Sequence, residues 1–268
     1  MPIEVKTEII VLDQPEFYAL NPKVLRIVFD VHNEFGRFLD EALYKTEIAA
    51  RWEAAGLGTV NREVQINVWH ESFRKSYFMD MLFNGGLMLE AKVADALTGG
   101  HRSQGLNYLF MAGMKHSLLV NLRPERVEHE FLSTTITPAE QRRFTLVDAG
   151  WRVVNDESKL FREQLAALLS DWGAFLEVGL YREAMAHFCG GTERVIGAVP
   201  IYSGDRLIGN QAVHYLNRDT AFAITATTRN GAGLEEHQRR FLKHTPLKHI
   251  QWVNLNRHDI EFTTLTKQ

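Results

Sequence analysis

The sequence predicts an α/β protein built from two tandem αβββαβ sandwiches, each with a mixed sheet. Two observations support this prediction. Between residues 23 and 137, helical and strand-like patterns follow the order helix, three strands, helix and strand. Segments of this stretch recur in the same order about 131 to 137 residues later, which indicates an internal duplication. We therefore expect one unit at residues 1–139 and a second at 140–268.

The composition is that of a globular protein with a substantial core. The 268 residues are 45% apolar and 24% charged, and no apolar run approaches the roughly 20 residues that cross a bilayer. The first residues lack the features of a signal peptide, and the single Cys189 excludes an intrachain disulfide and a thiolate zinc site. We therefore expect a cytoplasmic protein without a membrane partner. The net charge of −3 argues against a strongly basic nucleic-acid clamp but permits a local basic groove.

The beginning of the chain combines a strand, a helical region and a second strand. Residues 4–12 are expected to form a strand, followed by a loop through Asn21-Pro22. From Lys23 to about Ala55, apolar residues recur at helical spacing. Gly36 either divides this region into two helices or permits close packing. Alternating apolar residues then predict a strand from Val60 to Trp69.

The stretch from Tyr77 to Val93 predicts a β-hairpin. Two apolar runs flank Asn84-Gly85-Gly86, a short glycine-containing loop of the type that joins antiparallel strands. If the loop has three residues and is centred on Gly85, Asp80 lies directly opposite Glu90. A two-residue Asn-Gly turn would instead shift the register by one residue and reverse the side chains of one strand.

Three charged residues interrupt the apolar strands of this hairpin. Glu90 and Lys92 are two residues apart and therefore share one face of their strand. The carboxylates of Asp80 and Glu90 would repel each other across the strands, and a hard divalent cation would offset this repulsion. The alternative interpretation of Glu-x-Lys is a solvent-facing ion pair that contributes little to stability.

The rest of the first unit predicts one helix and two strands. The helix runs from His101 to about Ala112, with Gln104 and Tyr108 on the same stripe as His101. The apolar segment His116–Leu122 indicates an interior strand, and Glu130–Thr137 indicates an edge strand.

Three pairs of similar segments indicate the duplication. They are Phe35–Tyr44 with Trp172–Tyr181, Met114–Leu122 with Leu247–Leu255, and Glu130–Thr134 with Ile260–Thr264. The counterparts of Glu41, Asp80, Glu90 and Lys92 at these offsets are Val178, His214, Ile224 and Ala226. We therefore expect the second unit to be a degenerate copy that keeps the apolar frame and lacks the charged residues.

The ordered motifs of the first unit resemble the PD-(D/E)XK nuclease superfamily, and more narrowly the bacterial GxxExxY proteins, which are small relatives of RecB-like nucleases. The matching residues are Gly36, Glu41-Ala42-Leu43-Tyr44, Asp80, Leu89-Glu90-Ala91-Lys92-Val93, His101, Gln104, Tyr108 and Val120-Asn121-Leu122. The resemblance covers about residues 23–125 and implies a restriction-endonuclease-like fold for both units. Two departures, Phe78-Met79 before Asp80 and Arg37-Phe38 after Gly36, bear on substrate fit more than on metal binding.

The resemblance implies a Mg²⁺- or Mn²⁺-dependent nuclease that hydrolyses phosphodiester bonds of DNA, with RNA as an alternative substrate. It implies that Asp80, Glu90 and the Ala91 carbonyl hold the metal. Lys92 would orient the attacking water and oppose the negative charge that develops on the phosphate.

Three further residues receive supporting roles from the resemblance. Glu41 would complete the outer shell of the metal or bind a second ion. Gln104 and Tyr108 would position the phosphate or support the catalytic lysine. The second unit would act as a built-in partner, so that one chain forms a pseudo-dimer and is itself a monomer or a homodimer.

Several residues near these motifs have a structural interpretation. Tyr44 is expected to pack in the core, because Tyr181 persists in the second copy. His101 is expected to start its helix, and His116 and His249 occupy matching strand starts.

Two other functions compete with hydrolysis. A non-catalytic nucleic-acid-binding protein could use the same fold, with salt-dependent binding through residues such as Arg102, Lys115 and Arg123. A protein-interaction module is the third hypothesis, and the modest net charge permits it.

Overall fold

The chain forms two compact α/β units. The structure is a computed structural model that describes residues 2–228 and 231–267. The two units are Met1–Pro138 and Ala139–Gln268. Each contains one six-stranded sheet with both parallel and antiparallel pairs, so the predicted mixed α/β class is confirmed. No helix in the described part of the chain is both long enough and apolar enough to cross a bilayer.

The described residues of the first unit form three helices and six strands. They are β1 (Ile3–Val5), α1 (Gln14–Phe35), α2 (Glu41–Ala54), β2 (Val60–His70), β3 (Phe73–Phe83), β4 (Leu87–Lys92), α3 (Gly99–Ala112), β5 (His116–Asn121) and β6 (Glu128–Ser133). The strands lie in sequence order across the sheet. Neighbours are antiparallel except β4 and β5, which are parallel, and β6 is an edge strand as predicted.

The hairpin of β3 and β4 has the three-residue loop that places Asp80 opposite Glu90. Phe83 pairs with Leu87 and Met81 with Leu89, and the same register continued by one residue joins Asp80 to Glu90. Asn84 and Gly85 both have positive φ, 49° and 67°, which asparagine and glycine tolerate better than other residues.

The predicted start of the first helical region is wrong. The strand expected at residues 4–12 is limited to Ile3–Val5, and α1 begins at Gln14, with Pro22 inside the helix rather than in a loop. Asp13 caps the helix, and Asp13 and Glu16 exchange hydrogen bonds in a capping box. This cap starts the helix two turns before Pro22, and burial of Phe17 and its neighbours outweighs the hydrogen bond that the proline removes.

Gly36 divides the helical region into α1 and α2. It ends α1 with φ 73° and ψ −156°, and a Cβ built on it would meet no atom within 4 Å. Close packing is therefore not the reason for a glycine here; the backbone conformation is. The Gly36 carbonyl accepts a 2.5 Å hydrogen bond from the hydroxyl of Tyr44, which is fully buried as predicted.

Packing of the core determines which face of β4 carries its charged residues. Leu87, Leu89 and Ala91 are buried in one cluster with residues of α1 and α2. Because side chains alternate along a strand, Glu90 and Lys92 lie on the opposite face of β4.

In the part of the second unit that the structure describes there are five helices and six strands. They are α4 (Pro138–Gln141, which includes the unit boundary), β7 (Thr145–Gly150), α5 (Asp156–Trp172), α6 (Val178–Phe188), α7 (Thr192–Val195), β8 (Ile196–Ser203), β9 (Arg206–Asn217), β10 (Thr220–Thr225), α8 (Gly231–Lys243), β11 (His249–Asn256) and β12 (Asp259–Thr266). The sheet order is β7-β12-β11-β10-β9-β8. The parallel pairs are β10 with β11 and β12 with β7, and the other neighbours are antiparallel.

Both units share local geometry. The parallel register pairs Lys92 with Asn121 and Thr225 with Asn254. The Asn121 amide exchanges hydrogen bonds with the backbone of Ala94, as the Asn254 amide does with the backbone of Thr227. The Tyr181 hydroxyl donates to the Gly173 carbonyl as Tyr44 does to Gly36.

The matching registers of the two units differ from the offsets used in the sequence comparison. When the parallel strand pairs are aligned, Lys92 lies at the position of Thr225, Glu90 at that of Ala223 and Asp80 at that of Val213, one residue earlier than Ala226, Ile224 and His214. The contacts of His116 with Ser133 and of His249 with Thr266 have the same spacing of 133 residues.

We predict that Gly36→Ala destabilises the protein by about 1–3 kcal/mol, because alanine is strained in this backbone conformation. Gly99→Ala is the matched control. Gly99 is the first residue of α3, has open space for a Cβ and has no positive φ, so this variant should be neutral or slightly stabilising. Urea unfolding of both variants checks the prediction, and equal effects at the two glycines would contradict it.

Candidate active site

Two buried carboxylates form the centre of the candidate site. Asp80 and Glu90 are only 7% and 1% exposed. Oε1 of Glu90 accepts from the backbone N–H of Asp80 at 3.2 Å, and Oδ2 of Asp80 accepts from the backbone N–H of Ala91 at 2.9 Å. Each acid is therefore held by the backbone of the facing strand, which fixes both carboxylates in place.

Burial changes the protonation of Glu90. Removal from water and, second, the nearby charge of Asp80 raise the pKa of this carboxyl, the Lys92 ammonium opposes the shift, and the net result is a pKa of about 8. In the absence of another cation, Glu90 therefore retains its proton at neutral pH.

Lys92 connects the two acids. Its Nζ lies 3.4 Å from Oε2 of Glu90 and 3.7 Å from Oδ2 of Asp80, and its side chain is mostly buried. The structure thus brings Asp80, Glu90 and Lys92 together, as the sequence predicts. Glu90 is almost completely buried, so Glu90 and Lys92 are not the solvent-facing ion pair of the alternative interpretation.

A second lysine, which the sequence analysis missed, enters the same cluster. Nζ of Lys45 lies 2.8 Å from Oδ1 of Asp80, 2.5 Å from Oε1 of Glu63 and 3.3 Å from Oε1 of Glu41. Burial lowers the pKa of the Lys45 ammonium, but the hydrogen bonds to Asp80 and Glu63 outweigh burial and hold the pKa above its ordinary value. Lys45 is therefore a fixed cation.

Two signals in the sequence could have revealed these residues. Lys45 follows Glu41 by four residues, so the two side chains are neighbours on α2. Arg62 and Val64 pair with Met81 and Met79, and so Glu63, which has φ 50°, lies opposite Asp80. The register of the β2–β3 hairpin, worked out together with that of the β3–β4 hairpin, would have placed an acid on each side of Asp80: Glu63 on β2 and Glu90 on β4.

The charge of the cluster suits a divalent cation. We define the charged cluster as Glu41, Lys45, Glu63, Asp80, Glu90 and Lys92. Four carboxylates and two ammonium groups leave a net charge of −2 when all are ionised. All the acceptors are hard oxygens of the kind that Mg²⁺ and Mn²⁺ prefer. Among the described residues no three His, Cys, Asp or Glu side chains form a ready-made metal site, and three of these carboxylates converge instead on Lys45.

The remaining predicted residues lie around the cluster or on α3. Glu41 contacts the cluster through Lys45 and is partly exposed. Gln104 and Tyr108 form their own hydrogen bond, with Nε2 of Gln104 3.2 Å from the Tyr108 hydroxyl, and the Tyr108 ring packs edge-on against Tyr77 of β3.

The histidines have the structural roles that the sequence analysis gave them. Nδ1 of His101 accepts from the backbone N–H of Thr98 and completes the capping box of α3. The His116 ring contacts the Ser133 hydroxyl, and the His249 ring contacts the Thr266 hydroxyl.

Comparison with known families agrees with this geometry. Residues 18–132 match the family model of the PD-(D/E)XK nuclease superfamily. The match covers less than half of the 268 residues and includes the whole charged cluster. It supports a nuclease-like fold for the first unit. Neither a curated protein nor a solved structure matched the chain.

We predict that Glu90 makes the metal-free protein less stable as pH rises from about 4.5 to about 8. A raised folded-state pKa means that the folded protein binds more protons than the unfolded chain in this window, so its contribution to stability is complete below 4.5 and is lost towards 8. The slope is at most about 1.4 kcal/mol per pH unit. Glu90→Gln should therefore gain stability relative to the natural protein between pH 5 and pH 8.

Urea unfolding in EDTA at several pH values measures this difference. Glu53→Gln, at an exposed position of α2, is the control for neutralising a surface carboxylate. A Glu90→Gln difference that does not vary with pH would rule out the proposed protonation.

Proposed function

We propose that the first unit is a divalent-metal-dependent nuclease that hydrolyses phosphodiester bonds of DNA. The observation that carries this proposal is the position of the Lys92 ammonium, 3.4 Å from Glu90 and 3.7 Å from Asp80. Two acids and a lysine on adjacent strands are what metal-assisted hydrolysis of a phosphodiester needs. The family match to residues 18–132 supports the same reaction class.

The oxygen donors of the hairpin would hold the metal. A Mg²⁺ or Mn²⁺ ion bound by Asp80, Glu90 and the Ala91 carbonyl would polarise the phosphate and lower the pKa of the attacking water. Glu41, whose Oε1 lies 3.3 Å from Nζ of Lys45, would complete the outer shell or bind a second ion.

The lysines supply fixed positive charge. Lys92, held against both acids, orients the water and opposes the negative charge that develops on the phosphate in the transition state. Gln104 and Tyr108, joined by their hydrogen bond on α3, would position the phosphate or support Lys92. Lys45 neutralises Asp80 and Glu63 before a metal arrives.

We further propose that the second unit is a degenerate copy of the first. The run of five strands β2 to β6 and the run β8 to β12 have the same sequence of antiparallel and parallel pairings. The Asn121 and Asn254 side chains, 133 residues apart, also bond to Glu128 and Glu261, which are again 133 residues apart. In this interpretation the hairpin acids and lysine have been replaced by Val213, Ala223 and Thr225.

A specific observation favours a second candidate function, non-catalytic nucleic-acid binding. The Lys45 ammonium already neutralises Asp80, so the cluster is satisfied in part without a metal. Of the basic residues considered for such binding, Arg102 is engaged by Glu130 through two hydrogen bonds of 2.7 and 2.6 Å. Lys115 and Arg123 would then carry more of the contact with phosphates.

We predict that the purified protein cleaves labelled DNA with Mn²⁺ and that Asp80→Ala and Lys92→Ala each lower the rate by at least about 100-fold. Asp80→Ala should also abolish the heat of Mn²⁺ binding, because it removes a metal ligand, whereas Lys92→Ala should retain it. Asp30→Ala, on the exposed side of α1, is the control. Salt-dependent DNA binding without hydrolysis would favour the second candidate, and equal cleavage by all variants would exclude the site.

We predict that Mn²⁺ and the Lys45 ammonium compete for the same carboxylates. Lys45→Met should bind Mn²⁺ more tightly than the natural protein by calorimetry, because no buried ammonium must be displaced. In EDTA the variant should lose about 1–3 kcal/mol of stability, since the buried Asp80 carboxylate loses its 2.8 Å partner, and Mn²⁺ should restore part of that loss.

The surface variant Lys6→Met, whose lysine pairs with Glu4, controls for removal of one positive charge. Weaker Mn²⁺ binding by Lys45→Met would contradict the competition. A lack of Mn²⁺ binding by both proteins would contradict the metal site itself.

A further inference from the structure

The second unit contains a cavity at the place that corresponds to the charged cluster. The cavity has a volume of about 400 Å³ and is bounded by β9, β10 and α8. In the first unit the antiparallel register of the hairpin ends at Met81 and Leu89, just before the two acids. In the second unit it ends at His214 and Phe222, just before Val213 and Ala223, and both of these residues line the cavity.

The cavity keeps a cation and has lost the acids. Arg182 follows Tyr181 as Lys45 follows Tyr44, and it lines the cavity. Its Nε donates a 3.0 Å hydrogen bond to the carbonyl of Ile224, the counterpart of Ala91. With Val213 and Ala223 in place of carboxylates, the fixed positive charge favours an anion rather than a metal ion.

The walls of the cavity suit a flat, apolar group. Ala221 and Ala223 of β10 line the cavity on the face of the sheet that α8 covers, whereas the Phe222 ring lies on the other face, with its centroid 4.8 Å from that of Phe161. Leu234 and Phe241 of α8 and Ile250 of β11 complete the apolar lining. Aromatic side chains and a narrow apolar wall bind planar rings well, because flat surfaces bury each other efficiently.

One side chain that lines the cavity has a buried polar atom without a hydrogen-bond partner among the described residues. Oε1 of Gln238, which lines the cavity from α8, is buried and has no hydrogen bond in the described part of the chain. An unsatisfied buried acceptor is costly, and a ligand that supplies an N–H group would remove that cost. Burial and the nearby Arg182 lower the pKa of the His214 imidazole, so the guanidinium remains the fixed charge of the cavity at neutral pH.

We propose that the cavity between β9, β10 and α8 binds a mononucleotide unit. The base lies against Ala223 and Phe241 and donates an amine or ring N–H to Gln238, and the phosphate binds the Arg182 guanidinium. This assignment is independent of the nuclease proposal, because none of its residues belongs to the charged cluster. The source of the nucleotide is either a free molecule or the end of a single strand, and the chemistry is the same for both.

Calorimetric titration of the full chain in EDTA with dAMP, dCMP, dGMP and dTMP tests the proposal. We expect at least one of the four to bind with a dissociation constant below about 1 mM, and its nucleoside to bind less tightly. Gln238→Leu and Arg182→Met should each weaken the mononucleotide by about tenfold or more. Arg182→Met should also remove the difference between nucleotide and nucleoside, because the phosphate has lost its partner.

Two further variants locate the site. Ala223→Leu should prevent binding by filling the cavity, and urea unfolding of this variant establishes that it is folded. Arg240→Ala, on the same helix and exposed in a pair with Glu236, should leave binding unchanged. No binding by any of the four nucleotides, or binding that survives all three cavity variants, would overturn the proposal.

Competition identifies the source. A short single-stranded oligonucleotide that displaces the mononucleotide, and does so less well in Gln238→Leu, identifies a strand end as the ligand. If binding of the mononucleotide requires Gln238 and Arg182 but the oligonucleotide does not displace it, the ligand is the free nucleotide.

Discussion

The first unit depends on the close approach of two carboxylates, Asp80 and Glu90, inside the protein. Backbone N–H groups fix both acids, so they cannot separate to reduce their repulsion. The ammonium groups of Lys92 and Lys45 lie beside Asp80 and offset its negative charge. Burial raises the pKa of Glu90, so this carboxyl keeps its proton and adds no second negative charge. A buried arrangement of this kind is weak support for stability in itself, because desolvation opposes it. Its persistence in the first unit is better explained by a function that needs the charges.

The backbone around this pair is common to both units, and the side chains differ. In both units two strands part at the same point of the register, beside a parallel strand pair with an asparagine at its end. In the first unit, the space at this point holds six charged groups. In the second unit, small and apolar residues leave an open cavity with one arginine. The fold therefore supplies a recess, and the residues that line it decide whether it attracts a cation or an anion.

Sequence reasoning succeeded where local chemistry determines structure. The turn Asn84-Gly85-Gly86 predicts a hairpin with two candidate registers, and the three-residue loop, which places Asp80 opposite Glu90, is the one that forms. It failed at the start of α1 and at Lys45. Pro22 lies inside α1 because a cap at Asp13 and core burial override the local signal of a proline. Lys45 was missed because its spacing from Glu41 shows only that the two are neighbours on α2, whereas its contacts with Asp80 and Glu63 depend on how α2 packs on the strands.

Lys45 and Arg182 occupy matching positions in the two units. The difference between these two side chains gives a physical reason for the different ligands that we propose for the two recesses. A lysine ammonium is a compact charge on a flexible side chain. It can therefore bind between carboxylates and be displaced by a divalent cation that binds them more tightly. The Arg182 guanidinium instead bonds to the Ile224 carbonyl, the counterpart of the proposed metal-binding carbonyl of Ala91. That bond uses one of the two lone pairs of the carbonyl oxygen. If the two units are copies, as we propose, the arginine at this position and the absence of both acids together favour an anion over a metal ion in the second unit.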